Sequence, residues 1–85
     1  MVTIEDIQQL LADVLQLGER ARSMDAETPL LGHVPEFDSM AVVTLITALE
    51  EQLDLVIEDD EITGEVFETV GSLHAFANRV AATAD

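Results

Sequence analysis

The stretch DSMAVVTLITALEEQL, residues 38–53, decides between a helical and a β-rich architecture. Its apolar residues recur at the three- and four-residue spacing of a helix face, and they are Val42, Leu45, Ile46, Leu49 and Leu53. The segment AVVTLIT inside it is rich in β-branched residues and also fits a buried strand. The length of the pattern favours a helix, as does Asp38, which is placed to cap the N–H group of Met40 or Ala41.

Helical periodicity predicts two further long helices, one near each end of the chain. The first runs from Ile4 to Leu17, with Thr3 as its N-cap and Gly18 as its stop signal. The last is capped by Thr69. Its apolar face comprises Leu73, Phe76, Ala77, Val80 and Ala81. A short helical turn is expected at about residues 64–68.

Residues 19–37 show no sustained period and are predicted to form a long loop. Its apolar residues are expected to lie against the helices, and they are Met24, Leu30, Leu31, Val34 and Phe37. The whole pattern predicts an all-α fold, a small four-helix bundle with three longer helices, one short helix and a long first loop. Residues 1–85 are expected to form a single domain.

The chain is strongly acidic. Eighteen Asp and Glu residues face three Arg and no Lys, which gives a formal net charge of −15. Nine of the acids, and no base, lie between Glu50 and Glu68. Nucleic acid and anionic membranes bind through cationic groups, so neither is an expected partner. Basic protein surfaces are expected partners, because opposite charge accelerates association.

Several features indicate a cytoplasmic protein that does not insert into membranes. Without cysteine the chain forms no disulfide and no thiolate metal site. The N-terminal stretch MVTIEDIQQL lacks the basic start and unbroken apolar segment of a signal peptide. No apolar run approaches the length of a membrane span.

Catalytic and metal motifs are weak in this sequence, so we expect no catalytic residue and no specific metal site. His33 and His74 belong to no nucleophile–base motif, and a Gly-rich phosphate loop is missing. The segment DDEITGEV resembles the start of an EF-hand loop that begins at Asp59. Position 12 of that loop, which should hold a bidentate Glu, is Val70. Weak divalent-cation binding by the acidic cluster is the alternative.

Ser39 has two interpretations. Ser and Asp at a helix start are ordinary capping residues. However, Ser39 follows a long loop and begins a helix, which places its hydroxyl at an ordered and exposed position. The positive end of a helix also suits a phosphate ester, so Ser39 is a candidate attachment point.

The sequence resembles the acyl carrier proteins of the phosphopantetheine-binding carrier family. The resemblance rests on Asp38-Ser39-Met40, on the apolar helix that ends in ALEEQLDLVI, and on TVGSLHAFANRV after an acidic segment. It covers nearly all 85 residues. It implies a monomeric four-helix bundle that carries 4′-phosphopantetheine on Ser39 and holds acyl groups as thioesters. The thiol arrives with this group, and a separate phosphopantetheinyl transferase attaches it.

The resemblance also implies roles for the residues around Ser39. Asp38 positions the attachment segment, and Met40 is an exposed apolar contact for partner enzymes. The partners, which load and transfer acyl groups, are expected to present basic docking surfaces to an acidic patch. The acids of this patch are Glu50, Glu51, Glu58, Asp59, Asp60 and Glu61.

One departure concerns the pathway. Carriers of bacterial fatty acid synthesis usually have carboxylates just after the serine, whereas Ala41, Val42, Thr44 and Thr47 leave these turns uncharged. The stretch is similar to specialised stand-alone bacterial carriers. Fatty acid synthesis, polyketide synthesis and a specialised pathway all remain open. The alternatives are a peptidyl or amino-acyl carrier, an unmodified acidic interaction module that binds divalent cations weakly, and a small hydrolase with Ser39 as nucleophile.

Overall fold

A computed structural model of the chain describes residues 2–30, 32, 34 and 37–82, except for the side chain of Asp59. The described residues contain four α-helices: α1 (Ile4–Val14), α2 (Glu19–Arg22), α3 (Ser39–Leu53) and α4 (Val70–Ala82). Two 3₁₀ helices, Asp59–Glu61 and Gly64–Phe67, lie between α3 and α4. The predicted all-α bundle with three longer helices is confirmed. Leu31, His33 and Pro35, which the sequence assigns to the first loop, lie outside the described residues.

Helix α1 starts as predicted and ends earlier than predicted. The Thr3 hydroxyl accepts a hydrogen bond from the Asp6 N–H at 3.1 Å, and the Asp6 carboxylate accepts one from the Thr3 N–H at 3.0 Å. The helix stops at Val14, three residues before Leu17. Leu15 and Leu17 are both buried, and residues two apart cannot share one helix face. The chain therefore leaves the helix at Gln16, whose φ is +56°.

Residues 19–37 are less irregular than the sequence predicts, because they contain the four-residue helix α2. Gly18, at φ +58°, allows the change of direction that starts it. Four residues are too few to show a helical period, which is why the pattern missed it. The expected packing of this segment is confirmed for its described residues, since the following are buried: Met24, Leu30, Val34 and Phe37.

Helix α3 confirms the helical interpretation of residues 38–53 over the strand. Leu45 and Leu49 are almost completely inaccessible, and Ala41 and Ile46 are also buried. Val42 and Leu53, at the edges of the predicted face, are only half-buried. The helix ends at Leu53, and the left-handed conformation of its C-cap Asp54 lets the following Leu55 N–H donate to the Glu50 carbonyl oxygen.

The two elements before the C-terminus complete the core. The short turn predicted at residues 64–68 is the 3₁₀ helix Gly64–Phe67, which buries Val66 and Phe67. Helix α4 begins after Thr69, whose hydroxyl accepts a hydrogen bond from the Ser72 N–H at 3.0 Å. Its buried face comprises Val70, Leu73, Phe76, Ala77 and Val80, while Ala81 is half-buried. Both the cap and most of the face agree with the prediction.

Backbone hydrogen bonds tie the long first segment to the start of α4. The Leu30 N–H donates to the Glu68 carbonyl oxygen at 2.9 Å, and the Val70 N–H donates to the Thr28 carbonyl oxygen at 3.0 Å. The Gly71 N–H donates to the carbonyl oxygen of Ala26 at 2.8 Å. The segment that leads towards α3 is therefore held against the helix that closes the bundle.

Candidate functional site

Ser39 is the first residue of α3, and its side chain is exposed. The residue two positions before it is fixed by the core. The ring of Phe37 is buried, and its centroid lies 5.6 Å from that of Phe67. Leu45, two turns into the helix, is completely buried. The hydroxyl of Ser39 is therefore held at a defined point of the surface by buried side chains on both sides of it.

Asp38 caps α3 and leaves the Ser39 hydroxyl free of the capping role. The Asp38 carboxylate accepts a hydrogen bond from the Ala41 N–H at 2.9 Å, and its carbonyl oxygen accepts one from Val42. Among the described residues, none accepts from the N–H groups of Ser39 and Met40 or bonds to the Ser39 hydroxyl. The predicted cap is thus confirmed as a contact between the Asp38 carboxylate and the Ala41 N–H.

The side chain of Met40, next to Ser39, is 74% exposed. This exposure excludes core packing as the role of Met40 and agrees with the apolar contact that the resemblance implies. Val43, one turn further along α3, is 64% exposed. Val56, beyond the end of the helix, is 79% exposed. Sequence reasoning did not single out Val56, because the run LDLVI gave no sign of which apolar residue leaves the core.

The predicted acidic patch lies along the end of α3 and the turn that follows it. Glu51, Glu58 and Asp60 are exposed, whereas Glu50 and Glu61 are half-buried. Three of these acids, Glu51, Glu58 and Asp60, thus face solvent downstream of Ser39 in the chain. The side chain of Asp59 lies outside the described residues.

Glu50 is part of the fold as well as of the acidic patch. Its carboxylate accepts a hydrogen bond from the Ile57 N–H at 2.8 Å. Its carbonyl oxygen accepts another from the Leu55 N–H at 3.0 Å. Glu50 therefore holds residues 55–57 against the end of α3, a role that no pattern in the sequence indicates.

The geometry of the described residues does not favour an EF-hand-like cation site or a catalytic role for His74. Within the described part of the chain, three or more His, Asp or Glu side chains nowhere converge as metal ligands would. Val70, at position 12 of the EF-hand-like segment, is completely buried. His74 bonds through Nε2 to the carbonyl oxygen of Val2 at 2.7 Å, which is a structural contact. His33 lies outside the described residues.

Comparison with known proteins agrees with this geometry. Residues 5–79 match the family model described as the phosphopantetheine attachment site. The chain belongs to this family of phosphopantetheine-binding carriers. A solution NMR structure of a holo acyl carrier protein from Nitrosomonas europaea is 49% identical to the chain and superposes with a TM-score of 0.87. The match covers 96% of this chain and 99% of that one.

Family membership confirms that the chain is an acyl carrier protein with covalently attached 4′-phosphopantetheine. Carriers of this family present acyl groups to biosynthetic enzymes and are not enzymes themselves, as the sequence predicted. They are modified by a phosphopantetheinyl transferase. Among the described residues, no helix combines the length and hydrophobicity that crossing a bilayer requires.

The start of α3 fits a phosphate diester. The positive end of the helix dipole favours an anion there, as do the N–H groups of Ser39 and Met40, which find no acceptor among the described residues. The first turn of α3 contains no acidic residue that would repel it. An exposed hydroxyl also leaves room for a long arm to extend into solvent.

Proposed function

We propose that Ser39 is the residue that carries 4′-phosphopantetheine. The single observation that supports this most strongly is the position of its exposed hydroxyl at the N-terminus of the 15-residue helix α3. The other two serines are poor candidates. Ser72 donates its hydroxyl to the carbonyl oxygen of Val66 at 2.8 Å, and Ser23 donates its own to that of Arg20 at 2.8 Å.

In the attachment reaction the Ser39 Oγ atom attacks the phosphate next to the pantetheine arm of coenzyme A. A new O–P bond forms, the pyrophosphate bond breaks, and the nucleotide part of coenzyme A leaves. None of the described residues hydrogen-bonds to the Ser39 hydroxyl as a general base. The transferase therefore provides the base that takes the serine proton, together with Mg²⁺ that stabilises the phosphate charge.

Asp38 has a positioning role in this proposal. Its carboxylate fixes the first turn of α3 through the Ala41 N–H, so the backbone of Ser39 keeps one orientation relative to the helix. Enzymes that load or transfer acyl groups then approach this end of α3. Met40 provides an apolar contact, and the acids Glu50, Glu51, Glu58, Asp59, Asp60 and Glu61 attract their basic docking surfaces.

We place the carrier in a dedicated biosynthetic pathway rather than in general fatty acid synthesis. Residues 39–49 contain no charged side chain, which departs from the acidic helix start of the fatty acid carriers. We further propose that residues 1–85 act as one monomeric domain in the cytoplasm. The lack of cysteine and the high net charge support the compartment and the monomer, respectively.

Intact-mass spectrometry of the apo protein, incubated with coenzyme A, Mg²⁺ and a broad-specificity phosphopantetheinyl transferase, tests the attachment. The wild type and the Ser23→Ala control are expected to gain one phosphopantetheine group each. Ser39→Ala is expected to gain none while retaining the helical circular dichroism spectrum of the wild type. A Ser39→Ala variant that is still modified, or a wild type that stays unmodified, contradicts the proposal.

A further inference from the structure

Methionine sulfur is the group in this chain that a peroxide attacks most readily. The sequence contains three Met residues and no Cys, and the sulfur atoms of these two residue types are the usual targets of peroxides. Met24 and Met40 lie among the described residues, whereas Met1 does not. In the described part of the chain, oxidation is therefore expected first at one of these two methionines.

The two described methionines differ strongly in their accessibility. The Met40 side chain is 74% exposed, whereas Met24 is 9% exposed and belongs to the hydrophobic core. Susceptibility to oxidation follows the exposure of the sulfur-containing side chain. A peroxide therefore reaches Met40 without any opening of the fold, while Met24 is protected by the side chains packed around it.

Oxidation of Met40 changes the surface beside Ser39 and leaves the fold intact. The sulfoxide converts a flexible apolar side chain into a polar one. The Met40 side chain takes no part in the core, and its backbone carbonyl oxygen accepts a hydrogen bond from the Thr44 hydroxyl at 3.0 Å, which does not involve the sulfur atom. The helix α3 is therefore expected to persist while the residue next to Ser39 loses its apolar character.

We propose that Met40 is a site of reversible oxidation, and that its oxidation slows the attachment of 4′-phosphopantetheine to Ser39. Hydrogen peroxide transfers one oxygen atom to the thioether sulfur of Met40. The O–O bond breaks, the S–O bond forms and water leaves, so that the sulfur is oxidised and the peroxide is reduced. Methionine sulfoxide reductases, with a thiol reductant, restore the thioether. This inference rests on the proposed function, in which Ser39 is the attachment residue and Met40 an apolar contact.

The slower attachment follows from the water that a sulfoxide holds. A transferase that brings its active site to Ser39 has to displace water from the neighbouring side chain, and a polar sulfoxide resists this more than a thioether. Loss of one such apolar contact corresponds to roughly a fivefold rise in KM. The sulfoxide is uncharged, so the net charge of −15 and the electrostatic attraction to a basic partner stay the same. The rise in KM is therefore expected at low and at high salt alike.

Peptide mass spectrometry of the apo protein, treated with dilute hydrogen peroxide, tests the site itself. Cleavage after glutamate places Met40 in the peptide 37–50 and Met24 in the peptide 20–27. The peptide 37–50 is expected to gain one oxygen atom roughly tenfold faster or more than the peptide 20–27. The Tm of protein oxidised at Met40 should stay within about 3 °C of that of untreated protein. Equal rates for the two peptides overturn the proposal.

Steady-state kinetics of the attachment reaction test the consequence, with the apo carrier as the varied substrate and the peroxide removed beforehand. Oxidation is expected to raise the KM of the wild type roughly fivefold, and treatment with methionine sulfoxide reductases should reverse the rise. Met40→Leu keeps an apolar side chain without sulfur, so its KM should be the same before and after peroxide. Met40→Gln introduces a polar side chain of similar length and should raise KM without any peroxide.

The outcomes distinguish this inference from the proposed function. If untreated wild type is modified at Ser39 but complete oxidation of Met40 leaves KM unchanged, the oxidation site has no effect on attachment, while the attachment residue stands. A rise in KM that is equally large in peroxide-treated Met40→Leu assigns the effect to another residue and also overturns the inference. If the untreated wild type is not modified, both proposals fail.

Discussion

Gly71 lies in the first turn of α4, where the helix touches the segment that leads towards α3. A Cβ atom added at this position would lie 2.7 Å from the carbonyl oxygen of Ala26 and 3.2 Å from its Cβ atom. The same carbonyl oxygen accepts the hydrogen bond from the Gly71 N–H at 2.8 Å. The substitution Gly71→Ala therefore cannot be accommodated unless α4 and Ala26 move apart.

Two opposing effects decide the size of the change. Replacing Gly with Ala inside a helix normally raises the free energy of unfolding by about 1 kcal/mol. Against this, overpacking costs about 1–3 kcal/mol. Separation of the two segments also weakens the neighbouring hydrogen bonds of Leu30 and Val70, each worth about 0.5–1.5 kcal/mol. We expect a net loss of about 1–3 kcal/mol in the free energy of unfolding, or roughly 4–24 °C in Tm for a domain of this size.

Thermal and urea denaturation followed by circular dichroism measure this loss. Gly64→Ala is the matched control, because nothing lies within 4 Å of a Cβ atom added there and its φ is not in the left-handed region. The control is expected to be neutral or to gain up to about 1 kcal/mol. If Gly71→Ala is as stable as the wild type while the control behaves as expected, the result contradicts the close contact between α4 and Ala26.

Three further predictions concern stability. Asn78→Ala should lower the free energy of unfolding by about 1–3 kcal/mol, because the Asn78 amide accepts from the Val2 N–H and donates to its carbonyl oxygen, both at 2.9 Å; an unchanged urea midpoint contradicts this. Glu50→Ala should be about 1 kcal/mol less stable than Glu50→Gln in the same assay, since both remove one charge but only Gln retains an acceptor for the Ile57 N–H; equal midpoints argue against that bond. Moderate salt or Mg²⁺ should raise Tm by roughly 4–8 °C, because both screen the self-repulsion of a chain with net charge −15. A Tm that does not change with ionic strength would exclude that repulsion as a source of instability.

The parts of the fold that sequence predicts well are those with a long apolar period and a side-chain cap. Helices α3 and α4 begin after the residues that the sequence predicts as their caps, Asp38 and Thr69. The predicted end of α1 is wrong because the apolar periodicity continues through Leu17. The chain has to leave the helix because Leu15 is buried as well as Leu17, and this burial is visible only in the structure. The helix α2 is too short to give any periodic signal.

The site shows a similar division between local and long-range information. The motif around Ser39 and the exposed neighbour Met40 follow from residues adjacent in sequence, so a pattern reveals them. The hydrogen bond from Ile57 to Glu50 spans seven residues, and that from Val2 to Asn78 spans 76. Such contacts depend on how the chain folds back, and residue types alone do not specify them.

Localisation of the modified atom within the chain tests the central claim most directly. Cleavage after Glu36 and Glu50 releases residues 37–50, a peptide that contains three hydroxyl side chains, those of Ser39, Thr44 and Thr47. In the fragmentation spectrum of this peptide from protein treated with coenzyme A and the transferase, we predict that the phosphopantetheine mass resides on Ser39. A mass carried by either threonine, or by any peptide outside residues 37–50, would contradict the assignment of Ser39 as the attachment residue.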